Sequence, residues 1–195
     1  MNLQKNPIFP CVLFLVLSFI GPFAQAAEPP APSSPESVVE SYLQAMRGGQ
    51  YLKLAELIHP EGLEKFRSMF LPLIEEAKRA DPPEDLLTLF RGVGDVTELK
   101  KLSPAEFFAA FFGGIADVNP GLAEALTSAR MTPIGSVPEG DIIHIVCRTT
   151  VEVEGFNGSK VEVISLRRSA GNWRVILPES FESIVQALSS GSGKT

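Results

Sequence analysis

The sequence predicts an α+β fold in which N-terminal helices pack on an antiparallel β-sheet. Residues 35–129 place their apolar side chains three and four positions apart, which is the spacing of one helix face. Residues 131–177 instead alternate apolar and polar side chains, as half-buried strands do. Turn signals separate these strands by only a few residues, and such short connections join antiparallel neighbours.

The composition is that of one globular, acidic domain. The chain has 195 residues with 17 Lys or Arg and 23 Asp or Glu, a formal charge of −6. Because basic surfaces bind the phosphate backbone, we expect no nucleic-acid partner. Hydrophobic residues make up 45% of the chain, which argues against intrinsic disorder.

Residues 1–26 have the pattern of a secretory signal peptide. Lys5 precedes the apolar run Ile8–Phe23, and Ala24–Ala26 offers small residues for a cut before Ala27. A membrane anchor is the alternative, but the run is shorter than the ~20 residues that span a bilayer. We therefore expect an exported protein, periplasmic or otherwise secreted, with no membrane span after cleavage.

Two low-complexity segments delimit the domain. Residues 27–34 are Pro-rich and predict a flexible linker, and residues 189–195 are rich in Ser and Gly and predict a disordered tail. A single domain over residues 35–188 is expected between them.

Cysteine and histidine usage argues against several kinds of site. Cys147 is the sole cysteine after signal cleavage, and we interpret it as a buried structural thiol in preference to a catalytic one. Two histidines, His59 and His144, are too few for a His-based metal site. Because a phosphate loop and a dinucleotide fingerprint are also missing from the sequence, we expect neither a metal nor a cofactor.

The helices of the first half have recognisable limits. Ser34 is a predicted N-cap for a helix that begins at Pro35 and stops at a glycine pair, and a short helix follows before His59. The next helix is expected from Glu61 to about Ala80, with a kink or a break at Pro72 inside it.

Further helices are expected before the strands. A short helix is predicted at Asp85–Arg91 and a loop at Gly92–Lys101. Ser103 and Glu106 have the spacing of a capping box. The phenylalanines that follow it form one broad apolar stripe, which predicts a heavily buried helix: Phe107, Phe108, Phe111 and Phe112. Asn119-Pro120 starts the last helix of this half.

The strands are read from alternation and turns. Asp141–Glu154 is a long strand, Asn157-Gly158 a hairpin turn, and Lys160–Arg168 the returning strand. Asn172–Leu177 follows a second turn, and Met131–Val137 is a possible edge strand. Residues 180–188 predict a closing amphipathic helix. The long strand has one face with Ile143, Ile145, Cys147, Thr149, Val151 and Val153, and another with Ile142, His144, Val146, Arg148, Thr150 and Glu152.

Three segments in order have the arrangement of a known superfamily. They are the helix Pro35–Met46 before a glycine pair, the segment Tyr51–Glu61, and the strand Val161–Arg168 with its turn and Gly171–Val175. Over roughly Pro35 to Leu177 they resemble the nuclear transport factor 2-like superfamily. The resemblance implies helices packed into the concave face of a curved antiparallel sheet, forming a cone. It fixes no function, because the superfamily includes isomerases, dehydratases, epoxide hydrolases and non-catalytic binding modules.

Two residues are candidates for a catalytic base. Asp95 lies in the predicted loop, and His144 lies on the more polar face of the long strand beside Arg148. The alternatives, which we favour, are a solvated loop carboxylate and a surface or subunit-interface histidine. We therefore leave enzyme activity open. A cofactor-independent isomerase or hydrolase acting in the cone cavity is the alternative to a non-enzymatic domain.

The Cys147 face of the long strand predicts a pocket. Small and hydroxyl side chains there, opposite aromatic walls, suit a mostly apolar ligand. The predicted pocket residues are Tyr42, Phe108, Phe112, Cys147, Thr149 and Ser165. A filled core is the alternative, since phenylalanine is abundant in the chain, with thirteen residues in all.

The opposite face mixes aliphatic side chains with arginines, which is typical of protein contacts. It predicts a homodimer through the outer face of the sheet, with Ile142, His144, Val146, Arg148, Leu166 and Arg174 in the interface. The function we expect is that of an exported, non-enzymatic domain that binds a small apolar molecule or a protein partner.

Overall fold

The computed structural model describes residues 34–79, 86–153 and 156–178. The predicted signal peptide, nearly all of the linker, the closing helix and the tail lie outside the described residues. The described part confirms the α+β class, because helices precede a four-stranded antiparallel sheet. Its helices are α1 (Pro35–Arg47), α2 (Tyr51–Glu56), α3 (Pro60–Arg79), α4 (Val96–Lys101), α5 (Pro104–Val118) and α6 (Pro120–Ser128), with a 3₁₀ helix at Leu86–Leu89. Its strands are β1 (Arg130–Glu139), β2 (Ile142–Val153), β3 (Phe156–Ser169) and β4 (Asn172–Val175).

The predicted caps of α1 and α5 are confirmed. The Ser34 hydroxyl accepts a 3.2 Å hydrogen bond from the Ser37 amide. In the capping box, the Glu106 amide donates to the Ser103 hydroxyl over 3.3 Å, and the Ser103 amide donates to the Glu106 carboxylate over 2.8 Å. Each bond satisfies a backbone donor that has no partner inside its helix.

Two predictions for the helical half differ from the structure. The predicted break at Pro72 is absent, because α3 continues through the proline and Phe66, Phe70 and Ile74 on either side of it are buried in one core; the alternative, a kink, stays a prediction. The predicted loop at Gly92–Lys101 contains α4, which Asp95 caps and whose Leu99 is fully buried.

The sheet is a meander in the order β1-β2-β3-β4. Ala170 and Gly171, with φ of 49° and 83°, form the predicted turn between β3 and β4. The predicted turn at Asn157-Gly158 is wrong, because pairing of β2 with β3 extends to Val153 and Phe156 and leaves Asn157 and Gly158 inside β3. The predicted edge strand is present as β1, which pairs with β2.

The described residues form two hydrophobic clusters. The helical core joins α2, α3 and α5 and is rich in aromatic rings: Phe66, Phe70, Phe90, Phe107, Phe108 and Phe111. The sheet core packs α1 on one side of the sheet, through Val38, Val39, Ile145, Cys147, Leu166 and Val175. We call this side the inner face and the opposite side the outer face.

The end of β4 ties the two clusters together. The His59 amide donates to the Val175 carbonyl, and the Val175 amide donates to the Leu57 carbonyl, both over 2.8 Å. Among the described residues, no helix combines the length and apolar character needed to cross a membrane.

Candidate functional site

A cavity of about 640 Å³ lies between the inner face of the sheet and the helices α1 and α6. Most of its wall is apolar, with contributions from both helices and from the strands: Leu43, Met46, Ala125, Leu126, Met131 and Ile164. This size and lining are typical of sites for small organic molecules. A second cleft, of about 580 Å³ between α1 and β1, has several charged residues in its lining, including Glu36, Glu40, Arg47 and Arg130.

The polar part of the cavity wall comes from the pairing of β2 with β3. The register sets Cys147 opposite Glu162 and Thr149 opposite Lys160 on the inner face. The Thr149 hydroxyl donates a hydrogen bond to the Glu162 carboxylate. The other carboxylate oxygen lies 2.8 Å from the Lys160 ammonium group. The Glu162 charge is therefore compensated on both oxygens within an otherwise apolar wall.

Tyr42 brings a phenol to the same cavity. It lies one helical turn after Val38, so both side chains lie on the side of α1 that meets the sheet. Burial, and after it the negative charge of Glu162, raise the pKa of Tyr42 to about 12. The phenol therefore stays protonated at neutral pH and retains a hydrogen-bond donor.

Cys147 lies beneath this wall and not in it. The side chain is fully buried in the sheet core, and its thiol lies 3.8 Å from the Ile145 carbonyl. Burial, followed by the nearby charge of Glu162, raises the pKa of the Cys147 thiol. The interpretation as a buried thiol is confirmed, and Cys147 is absent from the described lining of the cavity.

The structure brings together only some of the predicted pocket residues. Tyr42, Thr149 and Ser165 line the cavity. Phe108 and Phe112 do not, because their rings pack in the helical core at 5.2 and 6.4 Å from the ring of Phe66. The aromatic side chains of α3 pack against the phenylalanines of α5, so the apolar stripe of α5 does not face the sheet.

Ser165 borders the cavity, but its hydroxyl is directed to the other side of the sheet. It pairs with His144 in the register and contacts the ring of that residue on the outer face. The assignment of Ser165 to the inner face is therefore wrong. The sequence reasoning also missed Glu162 and Lys160, which occupy the inner positions of β3.

Neither candidate base lies in the cavity wall. Asp95 is the N-cap of α4 and accepts a 2.8 Å hydrogen bond from the Glu98 amide. That hydrogen bond lowers the pKa of the Asp95 carboxyl, which suits a capping role and weakens it as a base. His144 lies on the outer face, hydrogen bonded to Ser165 and Glu139.

Most residues of the predicted dimer face share one side of the sheet. Ile142, His144, Val146, Arg148 and Arg174 occupy outer positions in the register. Leu166 does not, because it is fully buried in the sheet core opposite Val175, so its assignment to this face is wrong. Three exposed valines enlarge the apolar part of the outer face: Val137, Val161 and Val163. The homodimer itself stays a prediction.

Within the ranges that the structure describes, no three His, Cys, Asp or Glu side chains are grouped to hold a metal ion. In comparisons with known proteins, no family model, curated protein or solved structure matches this chain.

Proposed function

We propose that this chain is an exported domain that binds a small, mostly apolar molecule in the cavity between α1, α6 and the sheet, without catalysing a reaction in that cavity. The observation that carries the proposal is the composition of the cavity wall, which is apolar except for five residues: Tyr42, Thr149, Lys160, Glu162 and Ser165, whose hydroxyl is directed to the outer face. Burial of an apolar ligand surface contributes about 25 cal/mol per Å² before the costs of association. Export rests on the signal-peptide pattern of residues 1–26.

The charges of the wall favour an uncharged ligand. Glu162 and Lys160 neutralise each other, so a charged group buried beside them finds no unpaired counter-ion. The Tyr42 phenol is a donor, and the structure records no hydrogen bond to it from the described residues. A neutral molecule with an apolar body and one acceptor oxygen, such as a ketone, ester or alcohol, matches this arrangement.

The cone of the nuclear transport factor 2-like superfamily is part of the proposal. The order of helices before a four-stranded meander and the packing of α1 on the inner face support it. In such a cone, the cavity would be its interior. The resemblance of Pro35–Met46 and Val161–Val175 to the superfamily adds the support of sequence.

A fluorescence titration tests ligand binding. N-phenyl-1-naphthylamine is uncharged and fluoresces strongly in apolar surroundings, and we expect saturable binding to the full-length chain. Ala125→Phe adds a ring to the cavity wall and should abolish the signal. Ala123→Phe is the matched control, because Ala123 lies on the same helix outside the described lining. Equal loss in both variants, or none in either, would refute the cavity as the site.

Export has its own test. Intact mass spectrometry of protein purified from the exported fraction should give a chain that begins at Ala27. Recorded under native conditions, the same measurement also reports any bound molecule and the number of subunits. A mass that includes residues 1–26 would contradict the predicted cleavage.

A cofactor-independent isomerase or hydrolase is the second candidate, and Glu162 favours it over Asp95 or His144. Glu162 is the carboxylate at the cavity wall.

A carboxylate in an apolar site opens the ring of 5-nitrobenzisoxazole by removing the carbon-bound proton as the N–O bond breaks. Turnover above that of free acetate, lost in Glu162→Gln and retained in Glu152→Gln, would support an enzyme. Turnover no faster than acetate would favour the binding domain.

A further inference from the structure

The outer face holds a chain of three hydrogen-bonded side chains, of which Ser165 alone also borders the cavity. The Nδ1 atom of His144 lies 2.8 Å from the Ser165 hydroxyl, and its Nε2 atom lies 2.8 Å from the Glu139 carboxylate. Three different strands supply them. His144 and Ser165 are direct partners in the pairing of β2 with β3, and Glu139 ends β1 just before the turn at Gly140.

With Glu139 ionised and His144 neutral, the two hydrogen bonds determine where the protons lie. An ionised carboxylate only accepts hydrogen bonds, so the Nε2 atom of His144 must carry the proton that Glu139 accepts. In the neutral ring, Nδ1 is then an acceptor, and the Ser165 hydroxyl has to be its donor. The hydroxyl proton of Ser165 is thus directed at Nδ1 of His144, while Nε2 of the same ring is hydrogen bonded to the Glu139 carboxylate.

We propose that Ser165 is a nucleophile that accepts acyl groups from small activated esters, with His144 as its base. Both side chains are reachable from solvent, since Ser165 is half-buried and the His144 side chain is 24% exposed. Val163, 57% exposed, and Arg167 occupy the same face two residues before and after Ser165. Val163 offers an apolar surface for the acyl group, whereas the guanidinium of Arg167 is ion-paired with Glu61 beside His59.

The reaction balances with water as the second reactant. The Ser165 oxygen bonds to the ester carbonyl carbon as its proton moves to Nδ1 of His144. The bond from that carbon to the leaving oxygen breaks, and the leaving group takes the proton from Nδ1. Water then attacks the acyl-serine and gives a proton to Nδ1. The acid is released, and the proton returns to the Ser165 oxygen.

Covalent labelling with a fluorophosphonate tests the nucleophile without knowledge of the natural ester. The reagent bonds its phosphorus to an activated serine oxygen and releases fluoride, and peptide mass spectrometry identifies the serine. The full-length chain is used at the lowest concentration that the assay allows, so that self-association through the outer face cannot cover Ser165. We expect Ser165 to be labelled.

Ser159 provides a control inside the same molecule. It is exposed on the outer face of β3 and pairs with Thr150, so it has no histidine opposite it. We expect Ser165 to react at least ~100-fold faster than Ser159, and His144→Gln to remove that advantage. Equal rates at the two serines, or labelling at neither, would overturn the proposal.

Glu139 is assigned as a positioning residue, so its test needs a readout other than stability. Ring ¹⁵N shifts of His144 should show the proton on Nε2, and Glu139→Gln should disturb that tautomer and slow labelling of Ser165. Glu139→Asp keeps the charge and should restore part of the rate. If Glu139→Gln changes neither the tautomer nor the labelling rate, Glu139 does not position the base.

Discussion

The hydroxyl of Thr149 donates a hydrogen bond to the carboxylate of Glu162 across the pairing of β2 with β3. This contact holds a negative charge at the wall of an apolar cavity, next to the phenol of Tyr42 and the thiol of Cys147. The pKa values of both neighbouring groups rise, first because they are buried and second because Glu162 is charged. The electrostatics of the cavity therefore centre on the carboxylate of Glu162.

Replacing the charge of Glu162 should lower the pKa of Tyr42. In a Tyr51→Phe chain, Tyr42 is the remaining tyrosine and its ionisation can be followed by ultraviolet absorbance. We expect a midpoint of about 12, and a lower one in Glu162→Gln. The variant should still titrate above the ordinary value of about 10, because burial is the larger cause.

Glu152→Gln is the matched control for this titration, since Glu152 is an exposed residue of β2 on the outer face. It should leave the midpoint of Tyr42 unchanged. Circular dichroism at each pH confirms that the chain is still folded. An identical midpoint with and without Glu162 would show that its charge does not reach the phenol.

The Cys147 thiol should resist modification in the folded protein. In a Cys11→Ser chain it is the sole cysteine, and it is fully buried with a raised pKa. Leu166→Ala removes packing from the same core, costs about 2–5 kcal/mol of unfolding free energy, and should accelerate the reaction. Ellman's reagent measures both rates. A native thiol that reacts as fast as the unfolded one would contradict the described burial.

His59 should titrate below the ordinary histidine pKa of about 6.5. Burial of the ring lowers its pKa first, and the positive charge of Arg167, whose guanidinium lies 3.4 Å from the ring nitrogens, lowers it further against the opposing effect of Glu61. Because the unfolded chain then binds the proton of His59 more tightly than the folded protein does, the free energy of unfolding decreases as the pH falls below about 6.5.

An NMR titration of the His59 ring measures this midpoint. Arg167→Gln should raise it, though not fully to the ordinary value, because burial remains. Arg168→Gln is the control, since Arg168 stacks 4.6 Å from the Trp173 ring. A wild-type midpoint at or above 6.5 would show that the ring is not in the environment described.

Gly114 and Gly113 are adjacent in α5 but should respond differently to alanine. A Cβ at Gly114 would lie 2.3 Å from the Leu89 carbonyl oxygen, which is backbone. At Gly113 it would lie 3.1 Å from the flexible side chain of Arg91. In urea unfolding, Gly114→Ala should lower the free energy of unfolding by about 1–3 kcal/mol. Gly113→Ala should lose less, and equal stability of the two variants would rule out this close packing.

The helical half shows what local sequence signals can and cannot predict. Ser34 and Ser103 marked the starts of their helices because capping depends on residues a few positions apart. The phenylalanine stripe predicted that α5 is buried but not what covers it. Its partners, Phe66 and Phe90, are distant in sequence, so local spacing holds no information about them.

The sheet shows a different limit. In a hairpin with a two-residue connection, odd-numbered residues of one strand face the same side as even-numbered residues of the next. That rule places Leu166 and Glu162 inside with Ile145, as observed, and Ser165 outside with His144. Apolarity alone predicts the opposite orientation, because Glu162 lies between Val161 and Val163 and apolar side chains are expected to face inward. Both flanking valines are instead 57% exposed.

The central claim is that a small apolar molecule occupies the cavity between α1, α6 and the sheet. Methyl-¹³C methionine NMR tests it most directly, because Met46 and Met131 line the cavity and Met69 of α3 is absent from its described lining. On titration with N-phenyl-1-naphthylamine, we expect the Met46 and Met131 signals to shift to saturation while Met69 stays unchanged. Unchanged Met46 and Met131 signals at a concentration where the dye binds would contradict the account.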